Sequence, residues 1–465
     1  MDIDLALTRI RPRLGAAGLG PDAIRSFERM YRAFRKGFSG KALWSEIAPC
    51  QASDLVHLSA LEDDRLRDVG RSCLGKIAWI VLNGGLGTSM KMERAKSLLR
   101  VKESYTFLDL ISRHVLELRR RWGRPFPILF MNSFATRSDT LAALEPYPLA
   151  LSGQGAPLPL DFLQHRFPRI VAESGEPFGE AEDREAWAPP GHGDLYLALR
   201  ESGALALLLD RGVRWAFVSN ADNLGATIHL GILGFLAENG LEFLMEVTPK
   251  TAADLKGGTL VRSGGHLQLL EAAQVPDGHE EEFADATRFP FFNTNNLWID
   301  LAAVERRLAA ESLDLPPIVN RKVVRSTPVV QLETAMGAAI GAFEHAGGVL
   351  VPRTRFAPVK TTDDLLVRRS DAYLLGEDSP LVPNGLRDAG LGPPAVRLDP
   401  NYYASAPDLD LRIPEPPSLL SATSLEVIGD VRFEEGVTIR GAVRVVNGGS
   451  QPMTVRSGTV LEGGL

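Results

Sequence analysis

The chain is poor in several residue types, and each shortage argues against a class of function. Only two cysteines, Cys50 and Cys73, occur in 465 residues. Neither has metal-site spacing, so they read as two reduced, mostly buried thiols rather than a disulfide framework. The eight histidines form no H-x-x-x-H pair, which argues against a zinc site. The net charge is −7 and no basic tract is present, so no nucleic-acid partner is expected. No apolar run is long enough to cross a membrane. The segment Met1-Asp2-Ile3-Asp4-Leu5 is acidic and lacks a signal-type apolar core, so the expected location is the cytoplasm. Lysine is scarce as well. It supplies ten of the 51 basic residues, and after Lys102 only Lys250, Lys256, Lys322 and Lys360 remain. Where arginine serves the surface, a retained lysine can mark a position that needs a compact point charge.

What is present suits a globular protein with a large core and more than one domain: 45% of residues are hydrophobic and 23% charged. Residues 1–72 read as a polar helical region, with apolar residues at helical spacing in Arg25–Phe38 and Ser53–Val69. From residue 77 strands alternate with helices. The strand candidates are Ile77–Leu82, Pro127–Met131, Trp215–Ser219, Glu242–Val247, Leu297–Ile299 and Val329–Leu332. The helix candidates between them include Phe107–Arg121, with Thr106 as N-cap, Asp194–Leu209 and Leu230–Glu238. This alternation predicts a mostly parallel sheet covered on both faces, occupying residues 73–392. The Pro-rich stretch 393–417 reads as a linker. Beyond it, in 418–465, Leu425, Val431, Val437 and Val443 are spaced by six, as are Val427, Phe433, Ile439 and Val445. A hexapeptide period predicts a short parallel β-helix of about two coils. A pair of hairpins is the alternative.

The most informative segment is the strand that runs into Asn83-Gly84-Gly85-Leu86-Gly87-Thr88, with Lys96 after it. Glycines there let a backbone approach a ligand, and exposed amides can face phosphate oxygens. The loop matches neither G-x-x-x-x-G-K-[ST] nor G-x-G-x-x-G, which disfavours a kinase-type ATPase and a nicotinamide oxidoreductase. Taken alone it reads equally well as a tight turn. Three strand ends are alike: Asn83, Asn132-Ser133 and Asn220-Ala221-Asp222. They suggest one crevice at the carboxyl edge of the sheet, although asparagine also starts turns. Gly191-His192-Gly193 opens a helix, as an anion site or a turn. Asp222 could hold Mg²⁺ or cap a helix. The amides of Phe292–Trp298 are donors and acceptors suited to sugar hydroxyls, and Glu271 adds an acceptor.

Eight segments occur in order: Asn83–Thr88 with Lys96, Met131–Phe134, Pro189–Tyr196, Ser219–Thr227, Val247–Gly258, Phe292–Trp298, Gln331–Ala335 and Arg355–Leu365. As a set, over roughly residues 75–375, they resemble the eukaryotic-type UTP–glucose-1-phosphate uridylyltransferases, also called UDP-glucose pyrophosphorylases. The resemblance implies an α/β fold with a glycosyltransferase-A-like (Rossmann-like) mixed sheet core, a helical N-terminal segment and a short C-terminal left-handed parallel β-helix. It implies Mg²⁺ as cofactor, UTP and glucose 1-phosphate as substrates, and UDP-glucose and pyrophosphate as products. Leu82, Asn83, Gly84 and Gly85 would cradle the uridine, with Met131, Gln164 and Gly191 near the uracil. Lys96 would hold pyrophosphate, and Asp222 would ligate Mg²⁺. His192 and Lys360 would bind the sugar phosphate, while Asn220, Gly258, Glu271 and Asn295 would bind glucose hydroxyls. Lys250 and Lys322 stand as secondary phosphate contacts or structural charges, and Lys256 as a shaper of the Gly257-Gly258 turn. The tail's open end offers a surface for a homo-oligomer.

One departure stands out. The family usually carries Gly-Cys-x-Gly-Pro-Lys where this chain has Lys91-Met92-Glu93-Arg94-Ala95-Lys96. The lysine is kept, while the glycine-proline pair is replaced. Two other readings remain open on sequence: a related UDP-sugar or UDP-N-acetylhexosamine pyrophosphorylase, and a non-catalytic UDP-sugar-binding relative.

Overall fold

The computed structural model describes residues 3–87, 90–151, 157–251, 254, 257–376 and 381–464. Lys256 and the end of the glycine loop at Thr88 lie outside the described residues. An 11-stranded sheet organises the chain. Its main path uses β1 (Leu55–His57), β2 (Ile77–Asn83), β3 (Ile128–Asn132), β4 (Asp161–Leu163), β5 (Trp215–Asn220), β6 (Phe243–Pro249), β7 (Phe291–Asp300) and β8 (Ala346–Leu350). The spatial order is β1-β8-β6-β7-β5-β2-β3-β4. Neighbours on this path are parallel except at β7, which is antiparallel to both β5 and β6.

The sheet is therefore mixed, as the family resemblance implies, with five of the seven neighbour pairs on its main path parallel. The sequence pattern exposed only Leu297–Ile299 of β7, because polar Asn293-Thr294-Asn295-Asn296 hides its first half. Those amides are mostly buried, which a half-buried strand pattern does not anticipate. Val329–Leu332 is also a strand, but it lies in a separate three-stranded sheet with Ile318–Val324 and Ile170–Val171. The helix expected over Ser53–Val69 is confined to α3 (Asp64–Cys73), and Leu55–His57 instead forms the sheet edge. The candidate Asp194–Leu209 splits into α5 (Leu195–Glu201) and α6 (Ala204–Asp210). The break is Ser202-Gly203, where Gly203 takes a left-handed φ of 78°.

Helices cover both faces. One face carries α3, α4 (Phe107–Trp122) and α7 (Leu230–Asn239), packed on Trp79, Phe217 and Trp298. The other carries α5, α6 and α8 (Leu301–Ala309), packed on Ile80, Val218 and Ile299. Thr106 caps α4 as expected: its hydroxyl accepts from Asp109 N–H at 3.2 Å, and Asp109 Oδ2 accepts from Thr106 N–H at 2.8 Å. The N-terminal helices α1 (Ile3–Ala16) and α2 (Pro21–Arg35) bury Phe27 and Tyr31 against Phe167, Ile170 and Val330.

The stretch read as a linker, 393–417, is structured. Ala395–Leu398 (β9) pairs in parallel with β10 (Ser418–Ile428), and two short helices, Pro400–Tyr403 and Ala406–Arg412, follow β9. Pro400 and Pro407 sit at helix starts, where a missing N–H costs nothing. Beyond them, β10, β12 (Thr438–Val446) and β14 (Val460–Gly464) form one parallel ladder. A second joins β11 (Val431–Phe433) to β13 (Met453–Val455). All eight hexapeptide positions from Leu425 to Val445 are buried. Parallel pairing overturns the hairpin alternative. Among the described residues no helix is long and apolar enough to cross a membrane.

Ile439, fully buried in this ladder, tests its contribution. Ile439→Ala should cost about 2–5 kcal/mol, read as a lowered denaturation midpoint. An unchanged midpoint would show that the ladder does not contribute to the cooperative unit.

Candidate active site

The carboxyl ends of β2, β3 and β5 lie side by side, with Leu82 in register with Met131 and with Asn220. This is the edge at which open α/β sheets bind ligands. A cleft of 310 Å³ opens there. It is lined by Leu82, Asn83, Gly84, Gly85, Lys96, Met131, Gln164, Gly191, His192, Asn220 and Asp222, together with Ser97, Pro189 and Ala221.

Strand β2 is buried throughout and delivers the loop rigidly. A Cβ on Gly84 would lie 2.5 Å from Gln164 Nε2, so only glycine lets that amide rest on the loop. The loop closes through Lys96 N–H donating to Gly85 C=O at 3.0 Å. The altered segment 91–95 makes its own contact, from Arg94 Nε to Asp139 Oδ2 at 3.3 Å. Lys96 Nζ forms an ion pair with Asp222 Oδ2, both side chains less than a fifth exposed. Two of the chemistry-bearing residues thus meet directly.

Two of the three strand-end asparagines use their side chains within the fold, while Asn220 lines the cleft. Asn83 donates to Asn132 Oδ1 at 2.9 Å and Thr140 Oγ1 at 2.8 Å. Asn132 donates to Asp161 Oδ2 at 3.3 Å. Both amides are buried, so they lock the strand ends together instead of offering donors to a ligand.

The opposite wall is the loop at Gly191. Its φ of 79° and a clash of a virtual Cβ with Thr334 O at 2.4 Å both require glycine. Gly193 N–H donates to Thr334 C=O, and Thr334 N–H donates to Pro190 C=O, each at 2.9 Å. Met336 N–H donates to His192 Nδ1 at 3.0 Å. Desolvation pushes the His192 pKa down to about 4. The ring is therefore neutral at pH 7, with its proton on Nε2.

A second group contains Gly258, Glu271, Asn295 and Lys360. A Cβ on Gly258 would lie 2.8 Å from Glu271 Oε1. Burial raises Glu271 to about 7, against the opposing pull of the Lys360 charge. Lys360 Nζ stands 5.5 Å from the centroid of Phe292. Asn295 sits in a bulge of β7, where pairing with β6 skips from Leu297 to Asn293. It adopts φ 60° and exchanges two 2.9 Å hydrogen bonds with Asn293. Bulges of this kind re-aim side chains at strand ends. These four residues do not line the 310 Å³ cleft. Lys250 is elsewhere and structural, donating to Phe283 C=O at 2.6 Å. Lys322 is exposed on the separate three-stranded sheet.

A buried network missed on sequence ties the two groups together. Arg355 donates twice to Glu246, at 2.9 Å from Nε and 2.6 Å from Nη2. Glu246 also accepts from Trp298 Nε1 at 2.9 Å and Asn296 Nδ2 at 3.0 Å. Asn223, next to Asp222, donates to Arg355 C=O at 3.1 Å and accepts from Ala357 N–H at 2.9 Å. The available signal was the Asn-rich strand itself, whose polarity made sense only once a buried partner was known.

The donor set also bears on a metal. Among the described residues no group of three or more His, Cys, Asp or Glu side chains could hold an ion. The metal-ligand candidate at the cleft is the single carboxylate Asp222. That fits Mg²⁺ shared between one carboxylate and substrate phosphates, and does not fit an all-protein cage.

The chain matches one known family over most of its length. The family model described as UTP–glucose-1-phosphate uridylyltransferase matches residues 24–440. The chain is 43% identical over 395 residues to the protein of that name from Musa acuminata, covering 84% of this chain and 83% of the relative. It is 42% identical over 398 residues to the one from Saccharomyces cerevisiae, covering 84% and 78%. The crystal structure of a Trypanosoma brucei UDP-glucose phosphorylase superposes with a TM-score of 0.89 at 36% identity, covering 99% of both chains. A Leishmania major UDP-glucose pyrophosphorylase variant in complex with UDP-glucose gives 0.89 at 36% identity, covering 98% of both.

The His192 shift has a consequence for stability. Its pKa of about 4 in the fold lies below the unfolded value of 6.5. The unfolded chain therefore takes up a proton first, and stability is lost as pH falls from 6.5 towards 4. His192→Gln should flatten that part of the stability–pH curve by on the order of 2–3 kcal/mol. An identical slope in the variant would show that His192 is not held neutral.

Proposed function

The chain belongs to the UTP–glucose-1-phosphate uridylyltransferase family, and we propose how its two residue groups carry out that family's reaction. The protein is an enzyme that joins UTP and glucose 1-phosphate into UDP-glucose, with release of pyrophosphate. In our reading, a phosphate oxygen of glucose 1-phosphate attacks the α-phosphorus of UTP in line, and the bond to the pyrophosphate leaving group breaks. The nucleophile is already an anion, so no protein nucleophile is needed. The barrier is repulsion between anions, and catalysis is mostly positioning and charge neutralisation.

Leu82, Asn83, Gly84 and Gly85 hold the uridine by backbone approach, with Met131, Gln164 and Gly191 around the base. Lys96 steadies the leaving phosphates. His192 donates from Nε2 to a phosphate oxygen, and Lys360 neutralises the sugar phosphate. Asn220, Gly258, Glu271 and Asn295 take the glucose hydroxyls. Mg²⁺, when bound, would reduce the charge between the two substrates' phosphates, with Asp222 as its protein ligand. The observation that carries this reading is the convergence of Gly84, Gly85, Gln164, Gly191, His192 and the Lys96–Asp222 pair on one cleft.

The C-terminal ladders are read as coils of a left-handed β-helix, supported by burial of every hexapeptide position. A glycosyltransferase-A-like core is supported by the mixed sheet and its switch-point cleft. The exposed edges of the tail support a homo-oligomer contact there, and two free thiols support a cytoplasmic location.

Lys360→Ala should lower kcat by roughly 100- to 1,000-fold with unchanged thermal unfolding, measured by pyrophosphate release; near-normal turnover would remove Lys360 from the mechanism. Asp222→Ala should lose turnover by a similar factor and need more Mg²⁺ for half-maximal rate. Full activity at the wild-type Mg²⁺ concentration would exclude Asp222 as ligand. Offered glucose, galactose and N-acetylglucosamine 1-phosphates in parallel with UTP, the enzyme should prefer glucose 1-phosphate. Equal rates would favour a broad UDP-sugar pyrophosphorylase.

A further inference from the structure

Directly after Gln164, His165 sits between two carboxylates that the mechanism above does not use. Its Nδ1 lies 2.8 Å from Asp194 Oδ1 and its Nε2 lies 2.8 Å from Glu201 Oε2. The ring is 11% exposed and the Asp194 side chain 1%. Ionised carboxylates only accept hydrogen bonds, so two such partners require a hydrogen on each ring nitrogen. A neutral ring would set a lone pair against one of them. Desolvation opposes the charge, but the hydrogen bonds and charges of Asp194 and Glu201 outweigh it and raise the pKa to about 10.

The two carboxylates belong to different parts of the fold. Asp194 ends the Gly191–His192–Gly193 turn, and its Oδ2 also accepts from His165 N–H at 2.6 Å. Glu201 accepts from Gly20, Asp22 and Ala23 N–H at 3.1, 2.9 and 3.0 Å, which caps the 15-residue helix α2. One imidazolium therefore joins the Gln164 backbone, the Gly191 wall and the N-terminal helices. Gln164 is itself pinned by its N–H to Asn132 C=O at 2.8 Å and by its contact with Gly84.

We propose that His165 is a positioning residue for nucleotide binding: as a doubly hydrogen-bonded imidazolium it sets the gap between Gln164 and the Gly191 wall, and so controls affinity for UTP rather than for the sugar phosphate. The inference rests on the reading that Gln164 and Gly191 flank the base.

Geometry also supplies a test. His165 and Glu201 border a second cavity of 640 Å³ between the Ala17–Gly20 turn and β4, which meets the cleft at Gln164 and through which a small molecule can reach the ring's place. In His165→Gly, KM for UTP should rise about 10-fold or more, while KM for glucose 1-phosphate and kcat, which depend on His192 in the same turn, should change several-fold less. Added imidazole, with two donors as its cation, should restore KM for UTP. N-methylimidazole, with one donor, should not. If the glycine variant does not fold, His165→Gln gives the same readout with a smaller rise. Gln164→Ala is the control for the underlying reading. A raised KM for UTP in Gln164→Ala with none in the His165 variants overturns the proposal alone. No rise in either overturns the reading of Gln164. Equal rescue by both imidazoles, or equal losses for both substrates, reduces His165 to a packing residue.

Discussion

The buried pair of Glu246 and Arg355 is the constraint from which the site hangs. Glu246 is fully buried and Arg355 nearly so. Two charges in such a place persist only when every lone pair and proton is met, since an unpaired buried charge costs several kcal/mol. Here Arg355, Trp298 and Asn296 satisfy the carboxylate, and Arg355 also donates to Thr227 C=O at 2.9 Å. The pair draws together β6, β7, the loop after β5 and the segment that leads to Lys360. Asp222 and Lys360 lie 138 residues apart in sequence. The segments that carry them are joined because Asn223 bonds to both Arg355 and Ala357.

A second charged centre, at His165, joins the Gln164 backbone to the Gly191 turn and to α2. Both centres are hydrogen-bond networks of more than two members, and both sit behind residues that face the cleft rather than in it. The division suits a reaction in which no protein atom changes covalent partner. If catalysis is positioning plus charge neutralisation, the residues that fix distance matter as much as those that touch phosphate. The altered segment at 91–95 fits within this frame. It keeps Lys96 on Asp222 and adds a contact from Arg94 to Asp139.

Much of the architecture was legible in sequence where one residue pattern answers to one local environment. The apolar run Ile77–Leu82, the Thr106 cap and the hexapeptide spacing of the tail each identified their elements. The pattern failed where burial was polar. Asn293–Asn296 concealed half of β7, and with it the antiparallel strand that makes the sheet mixed. It failed again at 393–417, where prolines at helix starts look the same as prolines in a connector.

By itself the sequence determined the chemical inventory: glycines where the backbone must come close, lysines kept at 96 and 360, and a carboxylate at 222 past a strand end. It also determined the hexapeptide register of the tail, because a period is a local property of the chain. Only the tertiary structure decided which polar side chains are already satisfied within the fold and which line the cleft. Asn83 and Asn132 turned out to be bonded to each other, Lys250 to be spent on a backbone carbonyl, and Lys96 to face Asp222. The physical reason is that a polar side chain's role depends on whether a partner from a distant segment already satisfies it, and hydrogen bonds between segments leave no mark on local sequence.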